Sequence, residues 1–135
     1  MTITRIFRTV LSLAALIGGL ACGSDSGTNP GPGTATVSLT TPNADDGAVL
    51  VTLTGPGVSN PQPGSSAYRL YFRVVSADEL RVMVVGDLSA GVLLTLGVGE
   101  VTSIGQYSGT FVEVASQTDV LRATLTGYSL TFAAQ

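Results

Sequence analysis

The sequence predicts an all-β fold, a single antiparallel β-sandwich of about seven to nine short strands. Three observations predict it. From residue 35 onward apolar and polar residues alternate with period two, the pattern of a strand with one buried face. No window of helical length carries a 3.6-residue repeat, and Thr and β-branched residues abound while Lys is absent. Turn chemistry recurs between the alternating runs. A small closed barrel is the competing architecture, because it too buries alternate residues.

The runs follow in order. Val37 and Leu39 alternate with Thr and Ser, and Val49, Val51 and Leu53 alternate with Leu50, Thr52 and Thr54. Tyr68, Leu70, Phe72 and Val74 alternate with Arg69, Tyr71, Arg73 and Val75. Leu80, Val82 and Val84 alternate with Arg81, Met83 and Val85, which predicts a hairpin turning at Ser76-Ala77-Asp78. Val92, Leu94, Leu96 and Val98 alternate with Leu93, Thr95 and Gly97. Segments 107–114 and 120–132 supply two or three more strands. Tyr107, Gly109 and Phe111 share a face that Glu113 would follow inward, so a bulge near residue 112 is expected to switch faces. Turns are expected at Asn43 to Gly47, Gly55-Pro56-Gly57, Asn60 to Gly64, Gly86-Asp87, Gly105 and Gly127.

With its strand rhythm, the GAVLVTLTG run after an Asp-rich turn and the AGVLLTLGV run, the body resembles the cohesin-like and immunoglobulin-like sandwiches of bacterial surfaces. That resemblance implies binding to a protein or polysaccharide partner without catalysis; the competing expectation is a structural or assembly lipoprotein that pairs an exposed strand edge with a larger envelope complex.

The chain starts MTITRIFRTVLSLAALIGGLAC. Arg5 and Arg8 precede an uncharged apolar stretch over residues 9–21, which at helical rise covers about 20 Å against a hydrocarbon core of about 30 Å. The length suits a signal peptide rather than a membrane span. Gly18, Gly19, Leu20 and Ala21 then lead to Cys22, the single cysteine. This start resembles the lipobox of bacterial lipoproteins, with Gly19 and Leu20 in reversed order. The resemblance implies cleavage between Ala21 and Cys22, a diacylglycerol on the Cys22 thiol and tethering to a membrane of the cell envelope. Gly23 stands where Asp would signal inner-membrane retention, which implies the outer membrane. Residues 23–34, GSDSGTNPGPGT, carry no hydrophobic side chain and read as a flexible tether. The expected organisation is therefore a signal peptide over residues 1–21, a lipidated cysteine and linker over 22–34, and a β-sandwich domain over 35–135.

Charge and composition exclude several functions. Beyond residue 22 there are four arginines against nine carboxylates, with no Lys, His or Trp. Nucleic acid requires clustered positive charge, so it is not an expected partner. With no His or Lys to act as base and the one thiol assigned to lipid, a nucleophilic triad or a His/Cys zinc site has no residues to draw on. A paired-carboxylate glycosidase would want a deep cleft and aromatic platforms in a chain without Trp. The expectation is a non-enzyme needing no cofactor. The turn Asn43-Ala44-Asp45-Asp46-Gly47 offers Asp45 and Asp46 as weak calcium candidates. Ala44 and Pro42 break the EF-hand pattern, and the turn reads instead as an Asx turn capping backbone amides.

The most specific surface feature is the hairpin. With Tyr68, Leu70, Phe72 and Val74 facing the core, Arg69, Tyr71 and Arg73 face outward, joined by Arg81 and Met83 on the return strand. A short loop sets Val74 opposite Leu80 and Arg73 opposite Arg81. Like charges directly opposite destabilise a sheet, and a bound anion or a carboxylate such as Glu79 would relieve them. Arg69, Tyr71, Arg73 and Arg81 are the candidate ligand-binding residues, fitted to an acidic sugar or acidic protein surface.

Overall fold

In a computed structural model describing residues 29–135, the alternating runs become eight strands. These are β1 (Gly33–Thr40), β2 (Asp46–Thr54), β3 (Ser59–Pro63), β4 (Arg69–Ser76), β5 (Glu79–Leu88), β6 (Gly91–Val98), β7 (Ser108–Ser116) and β8 (Ser129–Ala134). They form two four-stranded antiparallel sheets, ordered β3-β6-β1-β8 and β4-β5-β2-β7. The fold is a sandwich, not a barrel. The leader, Cys22 and most of the expected linker lie outside the described residues.

Between the sheets lie Val37 and Leu39 of β1, Val49, Val51 and Leu53 of β2, Leu80, Val82 and Val84 of β5, and Leu94 and Leu96 of β6, all buried. Each is an inward position of its run. Full burial of such a side chain is worth about 1.5–3 kcal/mol, so packing alone can carry a core without a disulfide. Only β4 and β5 are consecutive strands that pair with each other. The other connections cross between the sheets, so most pairing is long-range in sequence.

Three strands depart from strict alternation. In β7, Phe111 faces Val51 while Glu113 faces Leu50, which leaves Val112 as the extra residue. This is the expected bulge, and it turns Glu113 outward and Val114 into the core. In β6, Val37 faces Leu94 while Ser38 faces Val92, so Leu93 is bulged. The sequence pattern placed Val92 inside and Leu93 outside; instead Leu93 is buried and Val92 exposed. In β2, pairing with both neighbours is irregular between Asp46 and Ala48. Strict alternation would put Asp46 outside with Ala48 and Leu50, yet it is wholly buried.

Other expectations are corrected. Asn60 to Gly64, read as a turn, lies largely in the edge strand β3, where Pro61 and Pro63 are tolerated because an edge leaves one side unpaired. Segments 107–114 and 120–132 together give two strands, β7 and β8, within the expected two or three, with an irregular run before β8 that makes a lone bridge between Ala115 and Leu121. A 3-10 helix, Val101–Gln106, was not anticipated. On β4, Phe72 and Val74 face inward yet stay 50% and 61% exposed.

β1 starts at Gly33, inside the expected linker. The Glu100 carboxylate accepts from the Thr102 hydroxyl (2.6 Å), the Thr102 amide (3.0 Å) and the Gly31 amide (3.0 and 3.1 Å). The Thr102 hydroxyl first, then the two amides, hold its pKa below the usual 4.5, because each favours the charged form. With the folded value lowered, the stabilisation is complete above 4.5 and fades as pH falls through that lowered value. We expect the exchange protection of the Gly31 amide to fall on acidification from about pH 6 to about pH 3, and Glu100→Gln to abolish the dependence. Equal protection across that range would show the cap to be inert.

Candidate functional site

The β4–β5 hairpin has the register its sequence demands. Arg73 pairs with Arg81, Val74 with Leu80, Tyr71 with Met83 and Arg69 with Val85. Following these pairs across β2 and β7 gives three rows on the outer sheet face: Arg73–Arg81–Thr52–Thr110, Tyr71–Met83–Leu50–Glu113 and Arg69–Val85–Ala48–Ala115. All four candidate residues thus lie on one face. Arg69, Tyr71, Arg73 and Arg81 are exposed.

These arginines form no ion pair: among the described residues every one belongs to Arg122. Glu79, two residues from Arg81 on β5, pairs across the sheet with Ser76 and Thr54 and makes no ion pair with Arg73 or Arg81. Tyr71 and Met83 leave apolar surface beside these charges. Further along the face, Leu50, Met83, Ala115 and Leu121 line a shallow depression of about 190 Å³, with Glu113 on its rim. Chemically, this is a flat cationic platform with an aromatic ring and no enclosed reaction chamber.

The Asp45–Asp46 turn is built differently from its sequence reading. Asp46 Oδ1 accepts from Arg122 Nε (3.0 Å) and Nη2 (2.8 Å), and the Tyr128 hydroxyl lies 2.9 Å from both carboxylate oxygens. The Thr41 hydroxyl donates to Asp46 Oδ2 at 2.5 Å. Asp45 accepts from the same guanidinium. The cation at these calcium candidates is therefore Arg122. The carboxylates bind side chains from distant segments rather than capping turn amides, and Thr41 Oγ1 takes the Asn43 amide instead. The two carboxylates hold the Arg122 pKa well above its usual value. Sequence reading missed this cluster because 76 residues separate Asp46 from Arg122 and the β2 irregularity reverses the expected face. It clamps the Gln117–Tyr128 excursion to the β1–β2 turn, a structural role. Among the described residues no cluster of His, Cys, Asp or Glu is arranged to hold a metal ion.

Comparison with protein-family models, curated proteins and solved structures found no match to this chain. The likeness to cohesin-like and immunoglobulin-like sandwiches rests on the strand rhythm and on the GAVLVTLTG and AGVLLTLGV runs.

Proposed function

We propose that this chain is a lipid-anchored, non-catalytic binding module of the cell envelope, and that the outer face of β4 and β5 takes an anionic polysaccharide. The observation that carries the ligand reading is the pairing of Arg73 with Arg81 on an exposed face, without a carboxylate partner among the described residues, in an acidic domain. A sheet does not place like charges opposite each other to its own benefit. A ligand carboxylate or phosphate bridging the two guanidiniums turns that repulsion into charge-assisted hydrogen bonding. Tyr71, 55% exposed between Arg69 and Arg73, offers a ring for a sugar to lie on. The anchoring reading rests on the lipobox-like GGLAC at residues 18–22 and on the apolar-free segment that follows. The membrane proposed is the outer membrane, from Gly23.

Two measurements test the reading. Mass spectrometry of the exported chain is expected to find Cys22 as N-terminus with a diacylglycerol on its thiol; a retained Met1 with an unmodified Cys22 would refute the anchor. Calorimetry with polygalacturonate, using dextran as neutral control, tests the face in the full chain carrying Cys22→Ser. Arg73→Ala with Arg81→Ala is expected to weaken polygalacturonate binding at least about tenfold, two charge-assisted contacts being lost. The same variant gains a few tenths of a kcal/mol in stability from relieved repulsion. Binding that survives the double substitution in a folded protein would remove the face from consideration, and binding to dextran as strong as to polygalacturonate would remove the anionic ligand.

A further inference from the structure

The four sheet edges are not protected alike. An open edge presents unpaired N–H and C=O groups and recruits another strand unless it is blocked. The β3 edge carries Pro61 and Pro63. The β7 edge is interrupted by the Val112 bulge and by the Leu121 bridge. The 3-10 helix lies against β8. Among the described residues the β4 edge carries no Pro, bridge or covering helix, and its one irregularity falls at its far end, between Val74 and Ser76. It runs Arg-Leu-Tyr-Phe-Arg-Val-Val-Ser with neither Pro nor Gly, and its pairing with β5 is regular from Arg69 to Val74.

Both faces of this edge are unfinished. The short β3, which packs near β4 from the other sheet, leaves Phe72 and Val74 largely uncovered on the inner side. On the outer side stand Arg69, Tyr71 and Arg73. A strand laid along β4 would bury the apolar side chains and satisfy the free backbone groups together.

We propose that this strand is β4 of a second copy of the chain, paired antiparallel about a two-fold axis through Phe72. The choice of occupant follows from register. A two-fold normal to the sheet keeps inner residues against inner and outer against outer; the Phe72 and Arg73 registers pair residues 69–75 and 70–76, whereas centring on Tyr71 pairs only 69–73 and centring on Val74 only 72–76, across the irregularity between Val74 and Ser76. Centring on Tyr71 sets Arg69 opposite the partner's Arg73, twice. Centring on Arg73 sets that arginine against itself. Centring on Phe72 avoids both clashes. Phe72 then meets the partner's Phe72, and Leu70 meets the partner's Val74 on the inner side. Tyr71 meets the partner's Arg73 on the outer side, a cation–π geometry. The contact is isologous, so it closes as a dimer and does not propagate as a fibre. Two four-stranded sheets become one of eight strands.

The test uses the full chain with Cys22→Ser and no ligand, so its result is independent of the polysaccharide reading. Sedimentation velocity up to about 1 mM is expected to show a monomer–dimer equilibrium, since edge pairing buries less surface than a standard interface. Under mild oxidation Phe72→Cys is expected to form a disulfide-linked dimer. Val74→Cys alone is not, because its counterparts lie about four residues apart along the strands, or roughly 14 Å. Leu70→Cys with Val74→Cys is expected to link. Phe72→Glu is expected to abolish the dimer while far-UV circular dichroism stays unchanged; if that variant unfolds, the crosslinking pattern still decides. A chain that remains monomeric at about 1 mM overturns the proposal. So does crosslinking through Val74→Cys as readily as through Phe72→Cys.

Discussion

Asp46→Ala should lower unfolding free energy by about 3–5 kcal/mol, the cost of breaking a buried ion pair by removing one partner. The Asp46 side chain is fully buried and takes hydrogen bonds from Thr41, Tyr128 and Arg122. Alanine would leave the Arg122 guanidinium with only Asp45, itself mostly solvent-exposed, as counter-charge. It would also strand the Tyr128 hydroxyl, although Asn43 Nδ2 still donates to it at 2.7 Å. Tyr128 packs at 5.5 Å from the Phe111 ring, so loosening there reaches the core side of β7. In a domain of roughly 100 residues each kcal/mol moves Tm by about 4–8 °C, so a fall of at least about 12 °C is expected. Asp46→Asn should cost less, since it keeps an acceptor for Thr41 or Tyr128 while losing the charge. Chemical denaturation of the three proteins checks the order. A loss below about 1 kcal/mol for Asp46→Ala would mean that the clamp is dispensable.

This cluster also marks where the sequence stops being legible. Alternation identified β1, β2, β4, β5 and β7 and the inward side of each, because period-two burial is a local property of the chain. The hairpin register was readable from Arg69 to Val74, since facing fixes it; at the turn Ser76 rather than Val75 meets Glu79, so the loop is Ala77-Asp78 and not the expected three residues. The bulge at Val112 was readable because Glu113 could not follow Phe111 inward without a partner. The bulge at Leu93 was hidden because Val92, Leu93 and Leu94 are all apolar, so no side chain protests in either register. The irregularity at Gly47 was hidden for the opposite reason: Asp46 looks like a surface residue until Arg122 and Tyr128 arrive from far along the chain. The edge strand β3 was disguised by its two prolines, which read locally as a turn.

The arginine face was legible for the same local reasons, as far as identity and register go. Whether β4 stands at an edge is a matter of sheet order, which no local pattern encodes, and the exposure of Phe72 and Val74 follows from that order. The proposed binding face and the open edge therefore share one hairpin. Dimerisation through β4 would bring both sets of Arg69, Arg73 and Arg81 onto a single sheet surface, doubling the charge presented to an anionic polymer. Repulsion between those two sets opposes the dimer in low salt, and a polyanion spanning both copies offsets it.

Gly55→Ala should be the most costly single-methyl addition outside the core, at about 2–5 kcal/mol. Gly55 holds φ of +149°, a region that side chains avoid. A Cβ there would lie 2.8 Å from Cε1 of Tyr107 and closer still to Cδ1. The ring cannot simply swing aside. Its hydroxyl donates to the Pro56 carbonyl at 2.8 Å and accepts from the Glu100 amide at 3.0 Å, and the residue is buried. The same turn ties two other segments together: the Gly55 amide donates to the Asp78 carbonyl, and the Gly57 amide to its carboxylate, both at 3.0 Å. Strain at Gly55 is thus passed to the β4–β5 loop and to the Glu100 cap. A double-mutant cycle separates the two contributions. With Tyr107→Ala in the background the ring is gone, and Gly55→Ala should cost only its backbone strain, about 1–2 kcal/mol. Additive losses in that cycle would show that ring and turn do not press on each other, and that the cost of the methyl group is conformational alone.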